Sequence, residues 1–189
     1  MAAFPGSRSA AKVAEKARET AMVKARSGIF ALFLALSVLW TMSPACAEPA
    51  FQRLTPLLVD IDGWQGKKPD GMSMDMPNGS MTTATREYDK GPARLHASVV
   101  VGVAAVGALT PLVTGMNVNT SEGHMLTDTL HGMKVLKSYT TAQKSGALLV
   151  ALDKDAMFSL SYNGLSEDEA LALAEKFDWK AIQAAAKTK

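Results

Sequence analysis

The chain of 189 residues holds a single cysteine, Cys46, three histidines and only 6% aromatic residues. After residue 47 there is no cysteine at all. Disulfides, thiol catalysis and thiolate metal sites are therefore excluded together for residues 48–189. Three histidines leave little acid–base chemistry near neutral pH. The unbroken run of apolar or small residues at 28–40 is thirteen residues long, well short of the roughly twenty that an ordinary bilayer-crossing helix needs. A large excess of charge of one sign is missing too. Six of the 20 Lys+Arg and two of the 18 Asp+Glu precede residue 48, which leaves 14 and 16 beyond it, a net charge near −2. The basic pI of about 8.6 belongs to the N-terminal segment, and the remainder makes no electrostatic case for nucleic acid or an anionic membrane surface.

What is present begins with that segment. Lys24 and Arg26 precede the apolar run, and Ala45, Cys46 and Ala47 follow it in the pattern of an A-x-A cleavage site. Residues 1–47 are expected to be a secretory signal peptide cut before Glu48. Two starts are open: Met1 with a long basic region, or Met22, which gives Met-Val-Lys-Ala-Arg ahead of the run. Acylation of Cys46 as a lipoprotein is the alternative, although Ser43, Pro44 and Ala45 do not resemble a lipobox. The expected address is periplasmic or secreted, with no transmembrane segment after cleavage and one domain over 48–189.

The organising unit of that domain is 147–179. Residues 147–152 form a continuous apolar run of strand length, and Asp153, Lys154 and Asp155 break it with turn chemistry. In 157–162 Phe158, Leu160 and Tyr162 alternate with Ser159 and Ser161, the period of a half-buried strand. Ser166 and Glu169 have the spacing of a capping box, which explains the acidic run 167–169 as a helix start. Ala170, Leu173, Ala174, Phe177 and Ala181 continue as an apolar stripe, predicting a C-terminal helix over 166–183. Upstream, residues 49–58 carry a helical spacing limited by Pro56, and 65–71 form a polar loop. Asn78-Gly79 signals a hairpin in which Met76 faces Met81. A strand follows at 93–103 and a short or broken helix at 104–116. Strands at 124–130 and 133–141 join at His131-Gly132. The expected fold is α+β: an antiparallel meander sheet of about six strands with helices packed on it.

By order of elements alone this arrangement resembles the PsbP/Mog1-type α/β sandwich, a family of small secreted or lumenal proteins that assist assembly of larger complexes. The resemblance implies an accessory, non-catalytic role and carries no motif.

The chemical lead is methionine. Met72, Met74, Met76 and Met81 are half of the eight methionines beyond residue 47, packed into ten positions. Thioethers are soft ligands that suit Cu(I) or Ag(I). An apolar face for the core or for a partner uses the same geometry. Exposure discriminates between them. His124 and His131, some 23 Å apart if on one strand, cannot share a metal. His131 suits a turn, and His96 alternates with Arg94 and Ser98 on a polar face. Residues 86–90 are expected to be an exposed strand end, and Trp64, Tyr139, Tyr162 and Trp179 are candidates to line a pocket. No nucleophile with an oriented base and no phosphate loop is legible; 102–107 lacks the lysine and start of one and is expected to bend or pack closely. Three function classes remain: a non-catalytic binding or assembly-accessory domain with an envelope protein as partner, a Cu(I)/Ag(I)-binding protein, and an enzyme whose site is not recognisable.

Overall fold

Alternation of apolar and polar residues in the long strands produces a sheet with one largely apolar side, and the chain supplies helices to cover it. The computed structural model describes residues 49–187; the expected signal peptide and cleavage site, with Cys46, lie outside the described residues. In order the elements are α1 (Ala50–Leu54) with a 3-10 turn (Thr55–Leu57), β1 (Gln65–Gly66), β2 (Asp70–Met76), β3 (Gly79–Lys90) and β4 (Ala93–Gly102). Next come α2 (Val103–Ala108), α3 (Thr110–Thr114), β5 (Val118–Asn119), β6 (Gly123–Leu130) and β7 (Met133–Thr140). The chain closes with β8 (Ser145–Asp153), β9 (Ala156–Asn163), α4 (Glu167–Ala174) and α5 (Trp179–Lys187). Every strand pair is antiparallel, in the order β1-β3-β4-β9-β8-β7-β6-β5, with β2 also on β3.

The α+β class, the antiparallel sheet and a C-terminal helix are thus observed, with three corrections. The sheet has nine strands rather than about six, because 65–71 is not wholly loop: β1 and β5 are two-residue pairings, too short to leave a periodic pattern. It is also not one continuous meander. After β4 the chain crosses the sheet through α2 and α3 to the far edge, then winds back until β9 pairs with β4. The helix expected over 166–183 is two helices. Asp178 caps the second, its Oδ1 accepting from Lys180 N at 3.0 Å and Ala181 N at 2.9 Å, and the Trp179 indole donates to Ala174 O at 3.1 Å. The capping box at Ser166 and Glu169 is formed as expected.

One face carries the main core. Leu95, Ala97 and Val99 of β4, Phe158, Leu160 and Tyr162 of β9, and Leu148, Val150 and Leu152 of β8 are buried beneath α1, α4 and α5 with Phe177, Trp179 and Ile182. Phe158 alone, fully buried, contributes roughly 2–3 kcal/mol of hydrophobic transfer. The strand end at 86–90 is less exposed than expected. Arg86 donates to Leu58 O at 2.6 Å and Lys67 O at 2.8 Å and pairs with Asp60, while the buried Tyr88 hydroxyl donates to Val59 O at 2.8 Å. These bonds strap 58–67 to β3. The opposite face has a smaller cluster, Leu109 and Leu112 on Leu136, with Met125, Leu149, Ala151 and Met157 packed beside it.

Candidate functional site

Whether a strand face is core or surface depends on what covers it, and β2 lies beyond the reach of α2 and α3. Register puts Met74 opposite Met81, Met76 opposite Gly79 and Met72 opposite Thr83. The expected pairing of Met76 with Met81 is therefore corrected by one turn step. Pro77 and Asn78, not Asn78-Gly79, are the loop, since proline's fixed φ suits the first turn position and Gly79 closes the ladder at φ 133° with its Hα face against Val103 Cγ1. The period of two still sets all four methionines on one side of the sheet. Met72 is 46% and Met74 43% exposed, with Met76 and Met81 half-buried. Directly opposed residues have Cβ atoms about 5 Å apart, so the thioethers of Met74 and Met81 are neighbours, flanked along the strand by Met72 and Met76.

Exposed apolar residues on this face are not confined to the hairpin. Gly102 bends β4 into α2 at φ 98°, where any Cβ would lie 1.9 Å from Ser80 O. This starts α2 beside the hairpin. Among the described residues seven large apolar side chains are exposed; Val59 is one, and the other six are Met72, Met74, Val106, Val113, Met116 and Val118. They belong to β2, α2, α3, the loop after α3, and β5, whose Val118 pairs with Met125. Val106, Val113 and Met116 belong to the helical spacing expected over 104–116, but that spacing does not say they are exposed and Val118 lies outside it; a signal exists all the same, for 97–121 contains no Asp, Glu, Lys, Arg or His. A surface helix normally keeps a charged side. This pair does not.

The histidines are dispersed by the fold. His124 Nε2 has no solvent exposure and lies 2.9 Å from Glu167 Oε2, off the line of a hydrogen bond; its ring is 6.1 Å from Tyr139. His131 occupies the β6–β7 turn at φ 51°, its ring 5.5 Å from Trp179 and its Nε2 3.3 Å from Glu175 Oε1. His96 is exposed on the polar side of β4, as the alternation implied. The aromatic residues do not share one pocket. Tyr139 stacks on Tyr162 at 6.4 Å, Trp179 lines a cleft of ≈ 360 Å³ with His131 and Glu175, and Trp64 lies under the Lys90 ammonium at 5.8 Å. A second cleft, ≈ 290 Å³, is walled by Glu87, Asp89, Arg94, His96 and Ser161. There the Lys67 ammonium, 2.5 Å away, holds the Glu87 carboxyl below its ordinary range. Burial, with the charge of Glu167, pushes the Tyr162 hydroxyl up to about 12. Among the described residues no three His, Cys, Asp or Glu side chains converge as a metal ligand set, and no helix is long and apolar enough to cross a membrane.

Comparison of the chain with protein-family models, curated proteins and solved structures finds no match in any of the three.

Proposed function

We propose that this is a non-catalytic binding or assembly-accessory domain of the cell envelope or secreted space, and that the 72–81 hairpin with α2 and α3 is its contact surface. The observation that carries the reading is the segregation of exposed apolar side chains: six of seven belong to elements of one face. An excess of exposed apolar side chains on one face marks an interaction surface, and exposed methionine adapts to a partner's relief because its chain is flexible and polarisable. The order of elements, like that of the PsbP/Mog1-type sandwich, agrees with an accessory role, and the signal at 1–47 supplies the address. The test places a photoreactive side chain at Met74, at Val113, or at Asp168 on the opposite side, and looks for adducts in the envelope of intact cells. Adducts with an envelope protein at the first two positions and not the third are expected. Equal labelling at all three would sink the reading.

A second reading has its own observation, the opposition of Met74 and Met81 between Met72 and Met76. Three thioethers meeting there would form a Cu(I) or Ag(I) site built of sulfur alone. Anaerobic Cu(I) titration of residues 48–189 against a competing chelator tests it, beside a variant with all four methionines replaced by leucine. Leucine keeps the apolar volume and removes the ligands. One-to-one binding lost in the variant supports the site; binding no tighter than the variant's removes it.

A further inference from the structure

The two edges of the sheet are finished differently. At the far edge β5 covers His124 and Met125 of β6, and beyond it Asn117 Oδ1 accepts from Thr127 N at 2.8 Å while the Thr127 hydroxyl donates to Met116 O at 3.0 Å. That edge is plugged. At the near edge β2 has β3 on one side only. Every second residue of such a strand points its N–H and C=O outward, and among the described residues those of 70–76 have no backbone partner outside the β3 ladder. Gly71 N finds the Asp70 carboxylate at 2.8 Å. Seven residues of strand, five of them exposed, form an open template.

We infer that β2 pairs with β2 of a second copy of this chain, antiparallel about a two-fold axis at Ser73, joining two sheets into one. Three features select that partner and register. Pro69 and Pro77 bracket the strand and have no N–H to extend the ladder, so only 70–76 is available. Pairing centred on Ser73 uses all seven residues; sliding it by one pair either way loses two. In this register Asp70 opposes Met76, Gly71 opposes Asp75 and Met72 opposes Met74, so no two carboxylates face each other, whereas centring on Asp75 would set it against itself. A two-fold contact is also self-limiting, because the same edge is used by both copies and none remains for a third. The pairing brings Met72, Met74 and Met81 of both copies onto one continuous surface without covering it. The inference concerns the strand edge, not the methionine side chains, and stands whether or not that surface binds a partner or a metal.

The core runs from Leu54 to Ile182, within the unit Glu48–Lys189, so residues 48–189 are the material for the test. That segment has no cysteine, and a Ser73→Cys variant carries one thiol, placed on the axis about 5 Å from its mate. A short bifunctional thiol reagent is expected to convert it to covalent dimer at least tenfold faster than a Ser161→Cys variant, whose thiol sits on the exposed middle of β9. Sedimentation of the unmodified domain is expected to show a dimer at micromolar to millimolar concentration. Ser73→Lys, which sets two like charges in opposition, is expected to weaken that dimer at least about tenfold, while circular dichroism stays unchanged and melting shifts no more than in Ser73→Ala, which loses the same 3.1 Å hydroxyl contact with Thr82 but keeps the dimer. A domain that sediments as monomer throughout the range, or equal cross-linking of the two thiols, overturns the proposal.

Discussion

The two faces of the sheet are built by the same strands and the same alternation, yet they reach different ends. On one side the odd positions of β4 and the even positions of β9 meet α1, α4 and α5, and among the described residues nothing large and apolar is left in water there apart from Val59. On the other, α2 and α3 bury Leu109 and Leu112 and leave Val106 and Val113 outside, and Met72 and Met74 on the same side of the sheet are uncovered too. The first face is closed by the chain itself. The second is apolar in excess of what the chain covers, and that excess is the basis for reading it as a contact surface.

The largest expected difference is in stability. Phe158→Ala, in the closed face, should cost about 3–5 kcal/mol in urea unfolding, whereas Met74→Ala in the open one should cost about 0.5 kcal/mol or less. Comparable losses at both sites would show the hairpin to be core. A second contrast is in alkali. Burial pushes Tyr88, aided by the charge of Asp60, and Tyr162, aided by Glu167, up to about 12. Both hydroxyls belong to the closed side. A raised folded pKa gives stability that is complete below the unfolded value near 10 and is lost as pH rises from there through 12, on the order of 2–3 kcal/mol for each tyrosine. Unfolding titrations from pH 8 to 12 should show that decline, and Tyr162→Phe should flatten part of it. Smaller again is the cap of α4: Ser166→Ala should cost about 1 kcal/mol, read from the same unfolding curves. The finest distinction is local opening. Amides of α2 and α3, which rest on three buried leucines, should exchange with solvent faster than those of α4, which rest on the main core.

Much of the closed face was legible because its rules are local. The alternation of Phe158, Leu160 and Tyr162, the apolar run of β8 and the Ser166 capping box are all complete within a few residues. The break between α4 and α5 was also local but overlooked: Asp178 before Trp179 is a helix start, masked by an apolar stripe that continues across it. β1 and β5 left no trace, since two residues have no period. The hairpin register differs from the one Asn78-Gly79 implies because Pro77, with its fixed φ, takes the first turn position. Most of the open face was beyond reach for another reason. The sequence places four methionines on one side of a hairpin, but their exposure depends on where α2 and α3 come to rest, and that is decided by Leu109 and Leu112 meeting Leu136, a long-range contact. The charge-free stretch 97–121 was the available hint that this helix pair has no solvent side.

The most direct measurement is methionine oxidation by dilute peroxide, quantified residue by residue for the isolated domain and for the protein in intact cells. In isolation Met72 and Met74 should oxidise ahead of Met125, Met133 and Met157, which pack against the two cores. In the cell, if the open face is a contact surface, Met72 and Met74 should fall back to the rate of the packed methionines. Oxidation of Met72 and Met74 as fast in the cell as in the isolated domain would contradict the account.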